Sequence, residues 1–361
     1  MSGVEAVNPE FRLWGWSAGR WLLVILIVAF VLRATFSFGV ARGLQHIEPQ
    51  QQSTDEYHLI AESLYAGKGY RFNEVESLTL QRPPGYPAFL LGVFSVSGVD
   101  YAVVQVVQAA LGAVTCLLLF LLGRWIMGPA LGLVAAAMFA LYPNAIEYSS
   151  RLYVETLYFP FLVAFALLLC VASLRKSWGW GVGAGLVWAM GLLIRGTMMA
   201  APPFLAAGLL LSRAHRSDVP AVARWVAAGA LAASIVMAPW VVRNYRLTGE
   251  IVPVSTVSWT AIYNGLQVSK HATEWRDLAQ VDVDAATYAH ERFVAKFHAG
   301  NGALAYRRPI DSVHYSGLAK ELVLEEWGAN PARTVWHAAR GTVFTWFFAF
   351  GKNTRLLSLA I

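Results

Sequence analysis

Charged side chains are scarce in this sequence. Asp, Glu, Lys and Arg make up 14% of the 361 residues, against 57% hydrophobic. A soluble domain carries about 25% charged residues, so an ordinary soluble class is excluded and a multi-span membrane protein is implied. Cysteine is nearly absent. Cys116 and Cys170 each lie inside an apolar run, where a thiol packs as a small core residue, and nothing suggests a disulfide or a cysteine metal site. Acids are fewer than bases, 22 against 28, leaving a net charge of +6. In a membrane protein that excess reflects Lys and Arg in cytoplasmic loops rather than nucleic-acid binding. There is no internal repeat and no low-complexity tract. No small-residue cleavage site follows the first apolar run, which predicts an uncleaved first span.

Long apolar runs are what the chain has in quantity. They cover Trp21–Val40, Tyr101–Gly123, Pro129–Ile146, Leu152–Cys170, Trp178–Ile194, Thr197–Leu211, Trp225–Val241 and Thr334–Phe350. By the apolar-run criterion these are about eight spans. The fold class expected is all-α, a polytopic membrane helical bundle formed by residues 1–361 as one transmembrane domain. Pro143 ends the third run, and Pro202-Pro203 should kink or delay the sixth. Arg33 falls late in the first run, where it snorkels outward or faces the bundle. Pro87–Val96 is too short to span and is expected to dip in or lie at the interface. The 14 Trp and 14 Tyr suit two water–lipid interfaces. Arg12, Arg20, Arg124, Arg175, Lys176, Arg213, Arg216, Arg224, Lys352 and Arg355 collect on one side, which the positive-inside rule makes cytoplasmic. Two polar regions, 41–86 and 243–332, then share the opposite face. The second shows helical patterns at Ala285–His298 and Ser316–Gly328.

The stretch Ser53–Pro87 organises the chemistry. Asp55 and Glu56 open a short helix expected at 55–66, with Gly67 as its C′ stop. Ser53 and Glu56 fit a capping box, and acids in a first turn complement the helix dipole. The other reading is a general base held beside a membrane span. Arg82 precedes Pro83-Pro84-Gly85-Tyr86-Pro87, a rigid turn with Pro87 suited to the first position of the next helix. Arg82 is either an interfacial residue at a helix entry or a guanidinium aimed at an anion. Glu155 sits at the start of an apolar run, where an acid is costly unless paired. It is either a structural partner of Arg151 or a functional carboxylate. Arg82, Arg151, Arg195, Arg243 and Arg246 all fall on the outer face against the general charge bias. Five such arginines suggest a shared anionic partner, and guanidinium forks match phosphate oxygens. Arginines around a lipid phosphate, with a carboxylate to take a proton, suit transfer of a group off that phosphate.

These residues resemble a known family. Asp55-Glu56, Ala61, Leu64 and Gly67, followed by Arg82-Pro-Pro-Gly-Tyr-Pro87, are similar to the first outer loop of GT-C glycosyltransferases. The nearest branch comprises bacterial relatives of dolichyl-phosphate-mannose protein mannosyltransferases and lipid A aminoarabinose transferases. The resemblance continues in Leu141-Tyr-Pro with Tyr148-Ser and Glu155, in Gly191-Leu-Leu-Ile-Arg195, in Pro239-Trp240 with Arg243-Asn244, Gly249 and Pro253, and in Asn330-Pro331. It implies a polyprenyl-phosphate-linked sugar as donor, a membrane setting with the active site on the extracytoplasmic side of the plasma (inner) membrane, and a glycan, lipid or protein acceptor. It makes Asp55 the catalytic base, gives Glu155 and Glu56 positioning roles, and has the five arginines hold the donor phosphate. Tyr57, Tyr86, Tyr148, Trp240 and Asn244 are the candidate pocket residues. Some members use a divalent cation such as Mg or Mn. The sequence offers no ligand set for one beyond the isolated His46 and His58. A non-catalytic protein that binds or translocates lipid-linked sugars would use the same arginines, and a structural subunit would need neither acid nor arginine.

Overall fold

Apolar runs become helices nearly everywhere the pattern requires, because a backbone in lipid must satisfy its own hydrogen bonds. The computed structural model describes residues 12–13, 15–40, 56–72, 78–201, 219–271, 277–297 and 309–339. A two-residue antiparallel ladder, β1 (Arg12–Leu13) on β2 (Trp16–Ser17), precedes the first helix. The helices are α1 (Ala18–Thr35), continued by a π turn at Phe36–Val40, α2 (Tyr57–Tyr65), α3 (Gly85–Ser97) and α4 (Tyr101–Met127). Then come α5 (Pro129–Ala140), α6 (Pro143–Ser150), α7 (Glu155–Arg175) and α8 (Trp178–Ile194), with a 3₁₀ turn at Gly196–Ala200. Finally there are α9 (Val219–Thr248), α10 (Val257–His271), α11 (Asp277–Phe297), α12 (Pro309–Ala329) and α13 (331–339).

Among the described residues four helices are long and apolar enough to cross a membrane, starting at Ala18, Tyr101, Glu155 and Val219. A fifth follows if α5 and α6, bent by 52° at their junction, make one broken span. The third apolar run is therefore not one straight helix to Ile146, because Pro143 restarts it. α8 keeps the expected bounds but has 17 residues, short of the roughly 20 a straight span needs. The sixth run begins as the 3₁₀ turn and continues outside the described residues, as does the eighth run beyond residue 339. α3 stays short, as its apolar length requires, but begins at Gly85 rather than Pro87.

Contacts divide the chain into two units. The first takes Met1–Lys68 and Pro83–Pro239, the second Gly69–Arg82 and Trp240–Ile361. In the first unit, Tyr57, Ala61, Tyr86, Leu90, Phe94, Val104, Leu152, Val154, Leu157 and Ile194 form one buried cluster joining α2, α3, α4, α7 and α8. A second cluster, built on Ala29, Cys116, Phe120, Leu133, Ala136 and Ala140, packs α1, α4 and α5. α4 starts cleanly because Asp100 caps it, its carboxylate accepting from the amides of Ala102 at 2.8 Å and Val103 at 3.4 Å.

In the second unit α10, α11 and α12 bury a shared core centred on Tyr263, Phe293, Tyr315 and Leu318. Lys270 pairs with Glu326 at 2.7 Å, and Gln267 donates to the same carboxylate oxygen at 2.5 Å. α10 is not signalled by the apolar pattern, and α11 and α12 start earlier than expected. Asn330 caps α13 by accepting from the Arg333 amide at 2.9 Å, with Pro331 in the first turn. The Asn-Pro pair thus has a plain local reason.

Candidate functional site

The first unit gathers most of the chemistry around two helix starts and two helix ends. α2 stops as expected. Gly67 takes φ +72°, the Lys68 amide bonds Ser63 O at 2.8 Å, and the Gly67 amide bonds Leu64 O at 3.0 Å. That is the paired closure of a Schellman motif. Its beginning departs from expectation. The helix starts at Tyr57, and Glu56 is its N-cap residue with φ 57° and no side-chain cap bond. A residue in the left-handed region cannot stand at N3, so the Ser53–Glu56 capping box is not made. Glu56 is exposed. Asp55 and Ser53 lie outside the described residues.

Within the Pro-Pro-Gly-Tyr-Pro turn, Gly85 is required by close approach. A Cβ there would stand 2.8 Å from Leu193 O and 2.9 Å from Ile194 N. α3 is thereby seated on the end of α8, beside Arg195. Tyr86 follows at once. It is fully buried, meets Tyr57 edge-on with ring centroids 5.5 Å apart, and donates to Gln108 Oε1 at 2.6 Å.

Gln108 and its neighbour Gln105 face the end of α6. Gln108 Nε2 donates to Ser149 O at 3.1 Å and to Arg151 O at 2.6 Å, and Gln105 Nε2 donates to Ser150 O at 2.7 Å. The other half of the broken pair is treated the same way. Arg33, buried in α1, donates to Ala29 O and Ala140 O at 3.0 and 3.1 Å and to Phe139 O at 3.0 Å. It lies across Gly112, where any Cβ would sit 2.4 Å from Arg33 Nε. A helix end without water leaves its last carbonyls unsatisfied, and here arginine and glutamine from adjacent helices satisfy them. Arg33 thus faces the bundle. Its position was visible in the sequence; the roles of Gln105 and Gln108 were not.

The carboxylate of Glu155, at the first position of α7, pairs with Arg195 Nη1, just past the end of α8. Side-chain exposure is 20% for Glu155 and 35% for Arg195. Arg151, the structural partner expected for Glu155, instead bonds Glu147 at 3.2 Å. The second oxygen of Glu155 is buried with no hydrogen-bond partner among the described residues. A buried carboxylate oxygen of this kind is costly unless something donates to it. Tyr148, in α6, packs against Tyr153 in the link that follows and Phe159 in α7. On α2, Glu62 accepts from the Tyr101 hydroxyl, and His58 is buried edge-on to Tyr101.

Arg82, Arg243, Trp240 and Asn244 belong to the second unit. There the Pro-Trp-x-x-Arg-Asn string forms a local lock. Trp240 Nε1 donates to Val254 O at 2.7 Å and Asn244 Nδ2 to Val252 O at 2.9 Å, tying the end of α9 to the chain that returns from it. Arg243 lies over the rings of Trp240 and Tyr70 at 4.5 and 5.0 Å. Its nitrogens donate to Asn244 Oδ1 at 2.9 Å and to Thr79 O at 3.3 Å. Arg82 is half-buried, and its carbonyl accepts from Tyr70 at 2.9 Å. Arg246 is exposed. A cavity of about 710 Å³ between α10, α11 and α12 is lined by Tyr263, Gln267, Tyr288, Glu325 and Glu326 among others, and by none of the candidate site residues. Among the described residues no three His, Cys, Asp or Glu side chains converge as metal ligands. His58, one of the two isolated histidines, is in a buried aromatic setting, and His46 is outside the described residues.

No curated protein matches the chain. Residues 81–242 match the family model described as dolichyl-phosphate-mannose-protein mannosyltransferase. That segment holds the Glu155–Arg195 pair and the glutamines that flank it, and it begins after Asp55. Over these residues the chain is similar to the dolichyl-phosphate-mannose-protein mannosyltransferase family, a likeness that supports a membrane glycosyltransferase of the GT-C type.

Proposed function

We propose that the chain transfers a monosaccharide from a polyprenyl-phosphate donor to an acceptor hydroxyl on the extracytoplasmic face of the plasma membrane, in one inverting displacement. The acceptor oxygen bonds to the anomeric carbon as the carbon–oxygen bond to phosphate breaks. The hydroxyl proton passes to a carboxylate, and polyprenyl phosphate leaves. Asp55 is the base by its resemblance to the first-loop aspartate of the family. Arg195 meets the negative charge that grows on the leaving phosphate, with Arg151 as a further cation of the same unit. Glu155 orients Arg195 through one oxygen and accepts from a sugar or acceptor hydroxyl through the other. Tyr57 and Tyr148 shape the pocket beside it. No step is assigned to a divalent cation.

The observation that carries this reading is the Glu155–Arg195 pair, which sits inside the family segment with one carboxylate oxygen buried and unpartnered. The test uses membranes containing the protein and polyprenyl-phosphate-mannose labelled in the sugar. Wild type should consume the donor and release polyprenyl phosphate, and Asp55→Asn should reduce that consumption to background. Undiminished turnover in Asp55→Asn would remove the base assignment. A wild type that binds the donor without ever consuming it would favour a binding or translocating protein instead.

A further inference from the structure

The Glu155–Arg195 pair does not hold itself in place. Glu155 follows four residues after Arg151, in a link that leaves α6 and enters α7. The backbone of that link is held from α4. Gln108 grips the carbonyls of residues 149 and 151, and Gln105 grips that of residue 150, at 2.6–3.1 Å. Gln108 is fully buried. Its amide could be turned two ways, and only one of them works. With the nitrogen towards the link, both of its hydrogens find carbonyls. Turned over, its oxygen would face two carbonyl oxygens. The Tyr86 hydroxyl, donating to Oε1 at 2.6 Å, secures the working orientation.

Tyr86 has a second significance through its neighbour. Gly85 seats α3 on the backbone of Leu193 and Ile194, immediately before Arg195. The dipeptide Gly85-Tyr86 therefore reaches the chain leading to the arginine directly, and the chain leading to the carboxylate through Gln108. We infer that Gln108, oriented by Tyr86, is a positioning residue that sets the geometry of the Glu155–Arg195 pair, touching neither donor nor acceptor itself. This rests on the transferase reading of that pair. The arrangement also explains why two glutamines stand three residues apart in an otherwise apolar run, a placement lipid alone would disfavour.

The test compares Gln108→Leu, Tyr86→Phe and the double variant, purified in nanodiscs, with polyprenyl-phosphate-mannose as donor. Gln108→Leu should lower kcat by about tenfold or more while leaving the donor KM within about twofold, because misplacement affects the transition state more than binding. Amides of residues 149–156 should exchange hydrogen about tenfold faster, as expected when local opening becomes easier. Tyr86→Phe should give a smaller loss of kcat, about threefold. The double variant should be no worse than Gln108→Leu, because Tyr86 acts through Gln108. Unchanged exchange in Gln108→Leu, or losses that multiply in the double variant, would overturn the assignment. Should Gln108→Leu fail to fold, Tyr86→Phe supplies the same two readouts: faster exchange with lower kcat sustains the assignment, and neither change refutes it. Faster exchange in a protein whose wild type consumes no donor would uphold the positioning of the link and refute the transferase reading.

Discussion

Arg195 and Arg243 occupy similar places in the sequence, each at the end of an apolar helix. Their surroundings in the two units differ. Arg195 pairs with the Glu155 carboxylate and stays about one-third exposed, and the far oxygen of that carboxylate has no hydrogen-bond partner among the described residues. Arg243 lies over two aromatic rings and donates to an amide oxygen and a backbone carbonyl. The first arrangement leaves hydrogen-bonding capacity unspent beside a charge. The second uses the guanidinium as a fastener between residues 70–79 and the end of α9. Sequence position alone does not separate an arginine paired with a carboxylate from one held by rings and carbonyls of its own unit.

The comparison can be broken most directly at Glu155. A partly exposed ion pair contributes about 1 kcal/mol or less to stability, so Glu155→Gln should move the melting temperature little. Transfer should fall by about 100-fold, because the removed charge both orients Arg195 and accepts a hydrogen bond in the transition state. Donor-consumption kinetics together with a thermal melt decide it. A large fall in melting temperature with retained kcat would make the pair structural, and the contrast with Arg243 would vanish.

Arg243→Ala tests the other side. Two cation–π contacts and two hydrogen bonds disappear together, and about 3 kcal/mol of stability should go with them. The loss should appear as a lower denaturation midpoint and as faster exchange at Thr79 and Leu80. Arg243→Lys should recover only part, since an ammonium cannot lie flat across both rings while serving two acceptors. A variant of normal stability that no longer retains donor would move Arg243 into the same class as Arg195.

Much of this was legible from residue patterns, and the misses have physical causes. Apolar runs placed α1, α4, α7, α8 and α9, because lipid demands length and leaves few alternatives. The break between α5 and α6 was only half visible. Pro143 announces it, but Leu141 and Tyr142 are apolar and continue the run by composition. α10 carries no apolar-run signal, because a helix packed on other helices need not be apolar throughout. Glu56 was misread because Ser53-x-x-Glu56 satisfies the capping-box spacing, and nothing in a side chain reports that its own φ is positive. Glu155 and Arg195 are each visible as candidates but not as partners, since a sequence separation of 40 carries no periodic signal. Gln105 and Gln108 were overlooked although the signal existed: polar side chains repeated at helical spacing inside a span are unfavourable there unless they bond within the protein. Asp55, on which the base assignment depends, lies outside the described residues.

The smallest expected effect concerns α2, the element that follows the proposed base. His58 is buried, its Nδ1 has no partner, and Tyr101 stands edge-on to it. Burial lowers its pKa below the usual 6.5, only partly opposed by Glu62 and Glu56. Between the lowered folded value and 6.5 the unfolded chain binds more protons than the folded one, so stability falls as pH drops through that interval. Above 6.5 the imidazole is neutral in both states and the contribution is fully present. Thermal melts should therefore show a modest decline below about pH 6.5 in wild type, and His58→Phe, which keeps a buried ring and removes the titration, should flatten that part of the profile. If His58→Phe declines as steeply as wild type, other groups govern the acid limb.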